Sequence, residues 1–237
     1  MRRWVASVLV LGLLWYPCLL SGGEGQLQST EQSATLENDF VAIRLDWSAG
    51  APRLASVVDK RGDAPDLFDQ GFALHVGNNQ TITAEQCRVL DAKSDCRPDG
   101  TRQVVFHMRH EASSAELRLT YTLAENDFFA RKTLAVRNPS EANRVTLYRA
   151  ELERLQTDAA LELGGQGQPV FVAGRMFLGL EYPAGQDQID QDRVCLAHFP
   201  GKPLGSDWLE LKTAVIGVAG GSSIEDAFAE YVRRIRI

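Results

Sequence analysis

Between Val104 and Val136 the chain changes character at almost every residue. Val104, Phe106 and Met108 alternate with Val105, His107 and Arg109. Ala115, Leu117, Leu119, Tyr121 and Leu123 alternate with Glu116, Arg118, Thr120 and Thr122. Phe128, Ala130, Lys132, Leu134 and Val136 do so with Phe129, Arg131, Thr133 and Ala135. Side chains two apart share one face of a strand, so each run is a half-buried strand. Glu125-Asn126-Asp127 and Asn138-Pro139-Ser140 supply short turns, and strands joined this way form an antiparallel meander. No helical pattern separates them, which excludes a parallel sheet with crossover helices. A one-sided sheet of this length needs a second layer, so the fold class is mainly β, either an antiparallel β-sandwich or a barrel.

The same patterning extends both ways. Val41, Ile43, Leu45 and Trp47 share a face, and Arg53–Asp59 and Phe72–Val76 read as further strands. Val145–Leu155, Met176–Tyr182, Arg193–Phe199 and Leu209–Ala219 follow. One helix closes the chain, over 222–236. Ser222 and Glu225 have capping-box spacing, and Ile224, Ala227, Phe228, Tyr231, Val232 and Ile235 form one apolar stripe. A helix made to pack on a further domain would leave Phe228 and Tyr231 exposed.

The first residues read differently. Met1-Arg2-Arg3 is basic, Trp4 to Leu20 is nearly all apolar, and Ser21-Gly22-Gly23 is small. That order is a secretory signal over 1–23, which makes the protein exported and leaves no membrane anchor after cleavage. Residues 24–33 are polar and aperiodic, a flexible lead-in, and the sandwich domain runs over 34–237. The formal charge of −6, with basic residues scattered, gives no support to nucleic-acid binding.

Once Cys18 leaves with the signal, Cys87, Cys96 and Cys195 remain. Cys87 and Cys96 flank a hairpin-like stretch and are a candidate disulfide; Cys195, in an apolar run, reads as a buried thiol. No cysteine or histidine spacing suits a metal, and no cofactor motif is present. His107 and His110, three apart in one strand, point to opposite faces; His75 and His198 stand alone. Glu151 and Glu153 lie two apart and read as solvated charge on one face. Asp187, Asp190 and Asp192 read as a loop of solvated acids, without the glycine and glutamate of a calcium loop. Gly164-Gly165-Gln166-Gly167 reads as a turn. Gly220-Gly221, between strand and helix, is a weak anion signal, and Asn79-Gln80-Thr81 a formal glycosylation acceptor. No catalytic residue emerges. The candidate ligand-binding pair is Glu181 and Tyr182, a carboxylate beside an aromatic at a strand end, as sugar sites use.

Three stretches carry a family resemblance. Leu36-Glu37-Asn38-Asp39-Phe40 with Ser56-Val57-Val58-Asp59-Lys60 resembles the opening of the β-sandwich that precedes the barrel in α-galactosidase-like (melibiase-type) glycoside hydrolases. Gln168-Pro169-Val170-Phe171 with Gly179-Leu180-Glu181-Tyr182-Pro183 resembles a later stretch, and Lys212 to Gly217 with Asp226-Ala227-Phe228 its exit toward the barrel. The resemblance implies a supersandwich of the galactose-mutarotase-like type. Catalytic carboxylates of that family lie on the barrel, so none carries over to this chain. The implied function is a non-catalytic module of an exported glycosidase, with carbohydrate and a separate catalytic barrel domain or chain as partners. A free-standing carbohydrate-binding protein and a sugar epimerase or lyase are the alternatives.

Overall fold

The computed structural model describes residues 14–16, 26–77, 79–140, 145–164 and 168–235. Its strands form three antiparallel sheets. The five-stranded sheet follows chain order: Leu14–Tyr16, Leu27–Ser29, Ser33–Glu37, Val41–Asp46 and Arg53–Asp59. The longest sheet has nine strands. Eight of them run in the order Leu161–Leu163, Val170–Val172, Met176–Leu180, Ala214–Val218, Phe129–Arg137, Ala115–Leu123, Arg102–His110 and Cys87–Cys96. Leu209–Glu210 pairs with Phe129–Arg137 as the ninth. In the seven-stranded sheet the order is Gln186–Asp190, Arg193–His198, Thr146–Gln156, Ala73–Val76 and Gln80–Thr83, and Phe68–Asp69 and Lys202–Pro203 also pair with Thr146–Gln156.

One face of the nine-stranded sheet meets both smaller sheets, so they form the second layer. Phe106 on that face packs edge-on against Trp47, which directly follows the Val41–Asp46 strand of the five-stranded sheet, with ring centroids 5.0 Å apart. Lys132 on the same face reaches Glu153 of the seven-stranded sheet. Asn38 ties the layers with every polar atom used. Its amide donates to Ala124 O and Asp127 O, at 2.8 and 2.7 Å, and its oxygen accepts from the Phe40 and Val41 N–H groups. A buried amide satisfied this fully fixes the turn without a desolvation penalty.

Lys132 and Glu153 are 2% and 1% exposed and lie 2.9 Å apart. Burial opposes the lysine charge, but Glu153 outweighs it, and the ammonium is held above its ordinary range. Burial pushes Glu153 up to about 7, against the pull of Lys132. Tyr121, the cross-strand neighbour of Lys132, presents its ring 5.5 Å from the ammonium. This pair is the charged link between the two layers.

The helix spans Ile224–Ile235 and packs on the other face of the nine-stranded sheet. Its cap is Ser223 and not Ser222: the Ser223 Oγ accepts from the Asp226 N–H at 3.1 Å, while Ser222 donates to Ala219 O. Phe129, Gly217 and Phe177 stand side by side on that face. Gly217 lacks a side chain, so the Phe177 ring lies over it, and a Cβ there would fall inside the ring. Tyr231 and Phe228 close over Phe177, with centroids at 5.2 and 5.5 Å. Tyr231 is therefore buried, and the helix is docked on the chain's own sheet.

Three further expectations change. The lead-in over 24–33 contains a strand, Leu27–Ser29, paired with Ser33–Glu37, with Leu27 buried. It is too short for alternation to show. Cys87 and Cys96 do not bracket a hairpin; they are the two ends of one continuous strand, ~30 Å apart at the usual rise per residue. Cys87 is a free, buried thiol, pushed up to about 12 by burial, and cannot reach Cys96. The signal segment lies outside the described residues except for Leu14–Tyr16, which pairs with Leu27–Ser29. Residues 165–167 of the expected glycine turn also lie outside them. Among the described residues no helix is long and apolar enough to cross a membrane.

Asp187 is also not a solvated loop acid. It lies on the Gln186–Asp190 strand, 7% exposed, with Oδ1 lacking a hydrogen-bond partner. Burial pushes it up to about 7, and the Leu180 N–H only partly opposes this. A carboxyl raised above its unfolded value takes up a proton on folding. Its stabilising effect is therefore fully present below the ordinary value of 3.8 and is lost as pH rises through about 7. Glu153 shifts in the same direction. We expect the domain to be more stable at pH 5 than at pH 8 in urea titrations. Asp187→Asn is expected to recover ~2 kcal/mol at pH 8 and nothing near pH 3. An unchanged pH profile in that variant would show that Asp187 is ionised without penalty.

Candidate functional site

The predicted pair separates in space. The Glu181 carboxylate turns toward the helix, where Oε1 accepts from Arg131 Nε at 2.7 Å and from the Tyr231 hydroxyl at 3.1 Å. Burial first, and Glu181 second, hold the Tyr231 hydroxyl above its ordinary range, so it stays a donor. Glu181 thus fastens the helix to the sheet. Tyr182 turns away. Its ring lies 4.4 Å from Lys212 Nζ and edge-on to His198. His198 is buried, accepts the Lys212 N–H on Nε2 at 3.2 Å, and is pulled down to about 4 by burial. Glu181 and Tyr182 both border an apolar cleft of 940 Å³ between the 181–185 turn and the helix.

Gly220 and Gly221 take positive φ angles of 62° and 87°, a conformation that glycine adopts freely. Their anion position is filled from within: Gly220 N–H donates to Asp59 Oδ2 at 3.0 Å. His107 lies in register between Asp91 and Arg118, and His110 bonds Ser113 at 2.7 Å. Among the described residues no three histidines, cysteines or acids converge as metal ligands.

The outer face of the seven-stranded sheet gathers polar groups that the sequence left apart. Thr146–Gln156 carries two bulges, between Leu147 and Arg149 and between Glu151 and Glu153. A bulge shifts the alternation by one residue. Glu151 therefore faces outward while Glu153 faces the core, and the expectation of a shared face fails. Outside, Glu151 meets one hydrogen-bond partner, His75, and two cations. His75 Nε2 lies 3.0 Å from Oε1, Arg149 Nε 3.1 Å from Oε1, and Arg154 Nε 3.3 Å from Oε2. Thr81 Oγ1 lies 3.3 Å from His75 Nδ1. The carboxylate accepts at Nε2, which assigns the proton there and leaves Nδ1 to accept from Thr81. Arg149 also donates to Gln188 Oε1 at 3.2 Å.

Around this cluster stand exposed rings. Phe68, Tyr148 and Phe199 are 63%, 57% and 56% exposed, and they are the only strongly exposed aromatics among the described residues. All three lie on strands of this sheet or directly at a strand end. Phe199 lies 5.7 Å from the Arg149 guanidinium, and Phe68 pairs in register with Gln156 at the far end of the strand. From Tyr148 to the level of Phe68 is eight residues, ~26 Å of strand. Cys195, expected to be buried, is half-buried on this face opposite Arg154, and burial first, with Glu151 second, holds its thiol above the ordinary range. The His75 contact and the two flanking guanidinium groups fix the Glu151 carboxylate in place. The arrangement is fitted to recognition: planar polar groups held rigidly between exposed rings. Sequence reasoning missed it because a bulge is defined by the partner strand, which one strand's own pattern does not show.

With its nine-stranded sheet facing two smaller ones, the chain is a β-supersandwich closed by one helix. No protein-family model and no curated protein matches the sequence. Solved structures do match the fold. The α-galactosidase from Lactobacillus brevis is 12% identical with a TM-score of 0.57, over 80% of this chain and 40% of its own. The GH36 α-galactosidase AgaA A355E from Geobacillus stearothermophilus, solved with 1-deoxygalactonojirimycin, is 11% identical with a TM-score of 0.58, over 85% and 43%. The galactosidase domain of the α-galactosidase-sucrose kinase AgaSK is 10% identical with a TM-score of 0.56, over 89% and 42%. The fold is thus the β-sandwich domain that the resemblance implied, and the chain spans about two fifths of those enzymes' length.

Proposed function

We propose that this protein is an exported, non-catalytic carbohydrate-binding module that works beside a separate catalytic barrel. The observation that carries the reading is the placement of all three strongly exposed aromatics along one sheet, flanking the His75–Glu151–Arg149 cluster. Sugar rings offer apolar faces to stack on aromatics and hydroxyls to bond with carboxylate, imidazole and guanidinium groups. A platform ~26 Å long suits an oligosaccharide better than a single sugar. The fold likeness to α-galactosidases over two fifths of their length supports the partnership with a barrel and makes galactose-containing chains the first ligands to try.

The test uses protein recovered from the medium, with its mature N-terminus expected near Gly23 or Gly25. Calorimetric titration with galacto-oligosaccharides is expected to give binding that Phe199→Ala weakens at least tenfold, ~1.4 kcal/mol. Nitrophenyl galactosides are expected to remain uncleaved by this chain alone. Loss of binding in Tyr182→Ala but not in Phe199→Ala would move the site to the cleft beside the helix. No binding to any glycan, or turnover of the galactoside, would sink the proposal.

A further inference from the structure

The Cys87–Cys96 strand ends the nine-stranded sheet. It is ten residues long and pairs, among the described strands, only with Arg102–His110. A groove of 630 Å³ borders its Cys87–Ala92 half, with Trp47, Ala51 and Arg53 on the opposite wall. Over residues 88–95 no second strand pairs with it among the described residues, and such an edge presents a row of N–H and C=O groups, a template for another strand. Proteins often protect such edges with charges, which repel an incoming copy when they share a sign. Here the signs alternate. Ala92 and Ser94 pair with the inward residues Phe106 and Val104. Asp91, Lys93 and Asp95 are therefore consecutive side chains on the opposite, outer face, reading minus, plus, minus. Within one copy Lys93 Nζ lies 3.0 Å from Asp91 Oδ2, with both side chains exposed enough to meet a second pair. Leu90, displaced by the bulge between Val89 and Asp91, is 49% exposed.

We infer that this edge pairs with the same edge of a second copy, antiparallel about a two-fold axis at Ala92. In that register Ala92 faces Ala92 of the second copy, and Asp91 faces Lys93 twice, once on each side of the axis. Opposite charges directly across an antiparallel pair attract, and like charges repel. Two-fold symmetry makes the contact self-complementary and closed, so it yields a dimer and not a fibre. The occupant follows from charge: a strand with matched minus–plus spacing is available on every other copy. The surface lies on the nine-stranded sheet and is independent of the proposed sugar platform.

The experiment is light scattering across a concentration series, with Ala92→Cys cross-linking under mild oxidation. Expected results are a concentration-dependent dimer and, for Ala92→Cys, a reducible dimer absent from the unsubstituted protein treated alike. Lys93→Asp sets Asp91 against a second carboxylate at both crossings and is expected to weaken association at least tenfold. The swapped pair Asp91→Lys with Lys93→Asp is expected to restore it. Asp91 and Lys93 are at the surface, and Ala92→Cys adds one atom at a half-buried position, so circular dichroism should show every variant folded. A monomer at all concentrations, with no cross-link, would mean that the charges guard the edge instead. Association unaffected by Lys93→Asp would place the contact elsewhere. Either result overturns the inference.

Discussion

Lys132→Met is expected to destabilise the domain by about 3–5 kcal/mol, read as a lower urea midpoint at unchanged slope. The lysine and Glu153 are both sealed between the layers. Glu153 Oε1 already lacks a hydrogen-bond partner, so removing the ammonium leaves its carboxylate with no compensation. Glu153→Leu alone is expected to be similarly harmful, because it strands the lysine charge. Changing both, Lys132→Met with Glu153→Leu, is expected to recover most of the loss, since a well-packed apolar pair avoids desolvating two ions. The double-mutant cycle is therefore the measurement. Additive losses would mean that the two groups are hydrated in solution and do not depend on each other.

Gly217→Ala is the second large effect, at ~3 kcal/mol. Overpacking usually costs about 1–3 kcal/mol, and this site lies at the upper end because the group in the way is a buried ring with nowhere to move. Phe177 is held between the sheet below and Tyr231 and Phe228 above. To admit a methyl it must push the helix outward, which also strains the Tyr231–Glu181–Arg131 chain of hydrogen bonds. Faster amide exchange in residues 224–235 is expected before global unfolding. A smaller aromatic-to-aliphatic change in the same variant, Phe177→Leu, should restore part of the stability. Helix protection unchanged in Gly217→Ala would show that the ring can swing aside.

Period-two patterning located the central strands well, because a half-buried sheet leaves no other order for Leu117, Leu119 and Tyr121 on one side and Arg118 and Thr120 on the other. It also found the helix, whose apolar stripe is unambiguous. What it lacked was register. The change of face between Glu151 and Glu153 depends on which residues of the neighbouring strands each one meets. So does the adjacency of His75 to Arg149, 74 positions away and directly opposite it in the sheet. Asp187 could not be recognised as buried, since its neighbours Gln186 and Gln188 are polar and its cover comes from Gly179 and Leu180 in another sheet. Cys87 and Cys96 looked like a hairpin's two ends because a long edge strand, polar on its outer face and only partly covered on its inner one, has weak alternation.

The buried Lys132–Glu153 link also bears on how such a sequence can drift. Neither member can be lost first without a severe penalty, so natural variation at these two positions should be tied: descendants keep both charges, or exchange both together for greasy residues, and rarely carry one. A set of homologous chains, once aligned, would display that linked inheritance as paired columns separated by a turn and half of two strands.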